Sequence, residues 1–182
     1  QETVTLAVGS AENLHSILDT VGQTLQFVRS AYLRDPQHFD LGRWTRGGPV
    51  LGGGAVQLGL IDASGVLHFG GAGAWPSPIS ANDFARIEPA GPDRLLIGPP
   101  VRDPQTGEWA VNVMRRITQP DGQPDGFAVA SVSTRLFTRF YDALPLKDAV
   151  ISVMGADGTV LVRAPVADGV VGQPLGGPDA AL

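Results

Sequence analysis

Residues 4–32 read VTLAVGSAENLHSILDTVGQTLQFVRSAY, and the spacing of their apolar side chains decides the fold. Val4, Ala7, Ala11, Leu14, Leu18, Val21, Leu25, Val28 and Tyr32 follow one another in alternating steps of three and four, the seam of a helix with one narrow apolar stripe. As a helix the stretch reaches about 44 Å, longer than a compact small domain needs. Ile17 and Phe27 widen the stripe, which fits a core helix of one globular domain or a helix serving its own domain on one side and a partner on the other. Gly9 is the weak point, because a cap at Ser10 could begin the regular helix there instead. Asp35-Pro36 should end it, since proline lacks a donor and disfavours helix in the residue before it.

Working outward, residues 36–54 mix aromatics with glycines and read as a connecting loop. Ala55–Ile61 and Val66–Phe69 alternate as strands around an Asp62-Ala63-Ser64-Gly65 turn, a hairpin. Residues 70–93 are irregular and rather long for a bare loop, with a short helical candidate at Ala81–Arg86. Arg94–Gly98 reads as a third strand stopped by Pro99-Pro100. Trp109–Ile117 and Phe127–Val132 are the fourth and fifth, making an antiparallel meander joined by dense Asp/Gly/Pro turns. Ser133 is placed to cap a helix through about Leu144 that buries Leu136, Phe137, Phe140, Tyr141 and Leu144. A last hairpin, Ala149–Met154 and Thr159–Val162, precedes a Gly/Pro/Ala-rich tail from Ala164 that carries no period and reads as unstructured. Leu60–Leu67 and Val153–Val160 share a strand, turn and strand pattern 93 residues apart, which fits either the commonness of such hairpins or two related modules of which the second is cut short.

Composition narrows the function. The chain has 182 residues, 43% hydrophobic, with a net charge of −5 and no long basic run, which argues against a nucleic-acid surface. With no cysteine there is no disulfide, thiol chemistry or Cys-ligated zinc. No apolar run approaches the length of a membrane span. The glycines at 47–54 lack the lysine of a phosphate loop and precede a strand rather than a helix. His15, His38 and His68 have no metal-ligand spacing, and no nucleophile elbow is present. These features predict a chain without catalysis, cofactor or metal.

A pocket is what remains. A sheet backed by one long helix needs cover on its other face, and only residues 70–93 can supply it. Trp75 and Phe84 would bring aromatic surface there. Asn112, Met114, Arg116 and Ser131 would contribute from strands four and five, with Arg94 at the start of strand three. An apolar pocket with a few convergent polar groups is the usual small-ligand site. The alternative is that Trp75 and Phe84 simply close the core. Strand parity matters too, because a slip of one residue exchanges Asn112 and Arg116 for Val113 and Arg115.

The order of these words resembles the double-Cache (PAS-like) sensor domains of bacterial membrane receptors. The likeness runs over roughly residues 55–165. It rests on Ile97-Gly98-Pro99-Pro100-Val101, Arg115-Arg116, the Asp-Gly turn, the helix RLFTRFY, and the Asp157-Gly158 hairpin ending in Arg163-Ala164-Pro165. The resemblance implies an α+β fold: a long N-terminal helix packed on a five-stranded antiparallel PAS-like sheet, plus a partial second module. It implies residues 1–35 as a signalling helix, 36–147 as a membrane-distal module, and 148–182 as a membrane-proximal module truncated after its first hairpin. It further implies the extracytoplasmic part of an inner-membrane receptor (histidine kinase, diguanylate cyclase or chemoreceptor) that senses a small molecule and can dimerise through the helix. Two departures bear on the ligand. The family's Ser-Asp-Arg-x-Tyr-Phe word is here reduced to Ser80 and Phe84, and the aspartate that grips an amino-acid ammonium late in strand five is replaced by Ser131. That points away from an amino acid and toward an organic acid held by Arg116 or Arg94, or toward no ligand. A periplasmic or secreted protein-interaction module is the competing reading.

Overall fold

The apolar stripe forms one unbroken helix, α1 (Glu2–Arg34), of 33 residues and about 50 Å. The computed structural model describes residues 2–43, 55–69, 75, 79, 93–142, 150–165, 167 and 169–175. The helix runs straight through Gly9 and Ser10, so no cap interrupts it, and it stops one residue before Asp35-Pro36. The strands β1 (Val56–Ile61), β2 (Leu67–Phe69), β3 (Leu96–Arg102), β4 (Trp109–Thr118) and β5 (Pro124–Ser133) build an antiparallel sheet in the order β2-β1-β5-β4-β3. Helix α2 (Arg135–Asp142) follows β5, and β6 (Ile151–Met154) pairs with β7 (Val160–Ala164) in a separate hairpin.

Alternation along the strands divides the sheet into two faces. Leu58 lies beside Ala130 and Ala130 beside Val113, and these join Val21, Leu25 and Val28 of α1 in the main core. Phe137 of α2 and Val162 of β7 extend that core. The other face carries Ile61, Val129 and Met114, which pack with Trp75. Ile17 packs against the main core as expected, whereas Phe27 is 59% exposed. It sits two positions from Leu25 and one from Val28, on a side of α1 turned away from the sheet. Phe27 thus leaves an apolar side chain on the part of the helix that its own sheet does not cover.

Three expectations are corrected. The prolines do not stop the third strand: β3 continues through Pro99 and Pro100 to Arg102, with a register shift between Ile97 and Pro100. It is the edge strand, where a missing N–H and a bulge break no inner ladder. The fifth strand starts at Pro124, three residues early. Gly126 makes this possible with φ of 106°, since a side chain there would run into the Ile61 carbonyl oxygen. The tail is not unstructured over residues 169–175. Val160 N–H donates to Gln173 O at 2.9 Å, Gly172 N–H to Val160 O at 2.8 Å and Leu175 N–H to Gly158 O at 3.0 Å, while Val171 is buried. Backbone pairing along the outer edge of β7 orders a stretch that has no periodicity to announce it. At α2, Ser133 Oγ accepts the Arg135 N–H at 3.3 Å, and Phe137 and Tyr141 are buried. The helical candidate at 81–86, the glycines at 47–54 and Leu144 lie outside the described residues.

The two hairpins share one turn. Asp62 N–H donates to Val66 O at 3.0 Å and Gly65 N–H to Asp62 O at 2.9 Å, with Gly65 at φ 83°. In the second hairpin Gly155 N–H donates to Thr159 O at 2.8 Å and Gly158 N–H to Gly155 O at 3.0 Å, with Gly158 at φ 81°. This is a turn followed by a left-handed glycine, the arrangement that matches strand twist. In the first copy the Asp62 carboxylate also accepts from the Ser64 hydroxyl at 2.6 Å, the His68 ring at 2.8 Å and the Val66 N–H at 3.0 Å. The Ser64 hydroxyl, then the His68 ring, then the Val66 N–H hold its pKa well below the usual carboxylate range.

Two outcomes follow. Leu25→Ala, at a fully buried site, should cost about 2–5 kcal/mol in urea unfolding, while Phe27→Ala stays within about 0.5 kcal/mol. Because the folded-state pKa of Asp62 is depressed, its contribution is present above the unfolded value of about 3.9 and is lost as pH falls below it. Asp62→Asn should therefore lower the melting temperature at neutral pH, and its difference from the native chain should shrink as the pH drops below about 4.

Candidate functional site

Pleating carries a row of polar side chains across the middle of the face opposite α1. Gln57 of β1 lies beside Ser131 of β5, and Ser131 beside Asn112 of β4. The next row is Gly59, Val129 and Met114, and the one after is Ile61, Phe127 and Arg116. Trp75 lies over these rows. Its indole Nε1 donates to Asn112 Oδ1 at 3.2 Å, and a Cβ built on Gly59 would stand 3.0 Å from the far edge of the ring. The glycine thus provides the space that the indole fills. Trp75 is 8% exposed, and Asn112, Ser131 and Met114 are buried.

The sheet brings Trp75, Asn112, Met114 and Ser131 together and puts Arg116 on the same face by strand alternation, so the register resolves the parity in favour of Asn112 and Arg116 over Val113 and Arg115. Arg94 is exposed just ahead of β3 and belongs to no strand. Phe84 lies outside the described residues. Motif reading passes over Gln57, although it is the lone polar residue of VQLGLI. Its Oε1 is buried and has no hydrogen-bond partner.

A second polar group ties this sheet to α1. Asp93 Oδ2 accepts from Arg29 Nη1 of α1 at 2.9 Å and from Arg115 Nη1 of β4 at 2.9 Å. Arg29 Nη1 also reaches the Arg116 carbonyl oxygen at 3.4 Å. Arg115 and Arg116 are neighbours on opposite faces, so one short piece of β4 touches the helix on one side and the Trp75 face on the other. The two arginine side chains are 21% and 16% exposed, but the Asp93 they share is 44% exposed, so solvent screens the bridge much as it does a surface pair.

A cavity of about 580 Å³ lies elsewhere, between α1, β3, β4, α2 and the β6–β7 hairpin, with walls that include Leu14, Leu18, Val111, Phe137, Val153 and Leu161. Of the sequence-predicted site residues only Met114 reaches it. Its polar lining includes Asp157, whose carboxylate accepts the Thr159 N–H of its own turn at 3.0 Å. An apolar groove whose carboxylate serves its own turn offers little to orient a polar molecule, so the Trp75 face is the better candidate. Among the described residues no group of three or more potential metal ligands comes together.

Neither a protein-family model nor a curated protein sequence matches the chain. Solved structures do. The extracellular domain of the histidine kinase rpHK1S-Z16 superposes with a TM-score of 0.66 at 24% identity, over 88% of this chain and 68% of that one. The ligand-binding domain of the Pseudomonas aeruginosa amino-acid chemoreceptor PctC, in complex with GABA, gives 0.66 at 20% identity over 96% and 78%. That of the Pseudomonas fluorescens chemoreceptor CtaA, in complex with L-serine, gives 0.65 at 15% identity over 96% and 75%. The chain has the fold of these Cache-type sensor domains, a long helix on a five-stranded antiparallel sheet.

Asn112→Leu should leave the buried indole N–H without its acceptor and cost about 1–3 kcal/mol in urea unfolding, while Arg94→Ala, at an exposed site, changes stability by less than about 0.5 kcal/mol.

Proposed function

We propose that this chain is the extracytoplasmic sensing region of a membrane-anchored signalling receptor and that the Trp75 face of its sheet takes a small molecule. The observation that carries the reading is the row Gln57, Ser131, Asn112 on the face that the buried indole covers, polar groups converging beside Gly59, Ile61, Met114 and Val129, with Arg116 two positions along β4 from Met114. Solved domains of the same fold hold small molecules, GABA in PctC and L-serine in CtaA. In this reading residues 1–35 form a signalling helix, 36–147 the ligand-taking module and 148–182 the first hairpin of a second module. The repeated turn supports that division. The chain does no catalysis and serves its parent protein as an input.

The signal path is short. A ligand that displaces Arg116 moves the piece of β4 whose carbonyl and neighbouring arginine are held to α1 through Arg29 and Asp93. Transmission requires the ligand to prefer one placement of α1 over another by its differential affinity. The N-terminal part of α1 then passes the shift toward the membrane or a sister helix. Organic acids bound through Arg116 are one ligand class this face supports.

A second reading has its own observation. Trp75 packs with Ile61, Met114 and Val129 as a core residue would, which fits an interaction module with no small ligand. A thermal-shift screen of organic acids, amines, amino acids and nucleobases separates the two. A ligand at a hundred times its Kd stabilises by about 2.7 kcal/mol, and the shift should vanish in Trp75→Ala. Silence across the panel favours the interaction module.

The coupling has a separate outcome. Asp93→Asn should lower stability by no more than about 1 kcal/mol and leave ligand affinity within a few-fold. Ligand-induced changes in amide exchange along residues 22–30 should nonetheless be lost.

A further inference from the structure

We propose that Gln57 sets the ligand class of the Trp75 face, accepting a hydrogen bond from an uncharged amide or hydroxyl group of the ligand. The inference rests on that face being the ligand site. In the central row Asn112 Oδ1 already accepts from the indole, and Asn112 and Ser131 both have further partners. Gln57 Oε1 is the acceptor left over, shut from solvent and unbonded. A buried acceptor without a donor is costly and rare in folded proteins, and a molecule in the site supplies what is missing.

Charge sets the class. The strand positions in the three rows of this face are Gln57, Gly59, Ile61, Asn112, Met114, Arg116, Phe127, Val129 and Ser131, with no carboxylate among them. An ammonium brought under the indole would lose its hydration with no anion among these described strand positions to replace it. An amide N–H or a hydroxyl loses far less and satisfies the Gln57 Oε1 acceptor. The side chain on β1 therefore selects for a neutral donor.

The probes are lactamide and glycolate, as donors without an ammonium, and L-serine and GABA, as donors carrying one. They are titrated by calorimetry into the native chain, Gln57→Leu, Gln57→Glu and Trp75→Ala. The native chain should bind lactamide or glycolate at least ten-fold more tightly than L-serine or GABA. Gln57→Leu should weaken that binding ten-fold or more and, with the orphan acceptor gone, raise the melting temperature of the free protein. Gln57→Glu should reverse the preference toward L-serine or GABA. A lower melting temperature for Gln57→Leu, or native binding that favours the ammonium-bearing probes, overturns the proposal. Binding lost in Trp75→Ala but retained in Gln57→Leu overturns the role of Gln57 and keeps the site. Binding that survives Trp75→Ala, or no binding by any probe, overturns the site as well.

Discussion

The contact between α1 and β5 is what the rest of the structure depends on. β5 is the middle strand, bonded to β1 on one side and β4 on the other, and both its faces are covered. Toward the helix it presents Ala128, Ala130 and Val132, all fully buried. Two alanines leave room for Val21, Leu25 and Val28 to close on the sheet without displacing the strand, and the apolar area removed from water there is the main stabilising term. A larger side chain at 128 or 130 would push α1 off the sheet.

Once β5 faces α1 through its even positions, its odd positions must face the other way. Phe127, Val129 and Ser131 then meet Trp75, and the register carries Gln57 and Asn112 to either side of Ser131. The polar row therefore follows from the docking of the helix. Slipping β4 by one residue would bring Val113 and Arg115 under Trp75 and turn Asn112 and Arg116 toward α1. Fold stability and site composition are set by one register. Arg29, Asp93 and Arg115 add a second connection near the end of the same helix, this one made of charge.

Much of this was legible in the chain. The seam of α1, the Asp-Gly turns and the strand order of the meander depend on near neighbours in sequence, where periodicity and turn chemistry act. Trp75, Asn112, Met114, Arg116 and Ser131 could be grouped because strands four and five alternate cleanly. Pro99-Pro100 misled because proline is a stop signal in an inner strand and tolerable at an edge, and edge position is a property of the assembled sheet. Residues 169–175 misled because their order comes from backbone pairing to β7, which leaves no mark on side-chain pattern. Phe27 widens the helical stripe by spacing and lies exposed on the side of α1 away from the sheet.

By itself the sequence determined the elements, their order and the acidic, cysteine-free character that sets the chain apart from nucleic-acid binders and thiol enzymes. Tertiary structure alone decided which face of each strand meets α1, that Gln57 is a buried acceptor with no partner, and that Asp93 joins Arg29 to Arg115. The physical reason is range. Helix period and turn geometry are fixed within a few residues, whereas pairing Gln57 with Ser131, or Arg29 with Arg115, joins residues 74 and 86 positions apart, whose meeting depends on every contact formed between them.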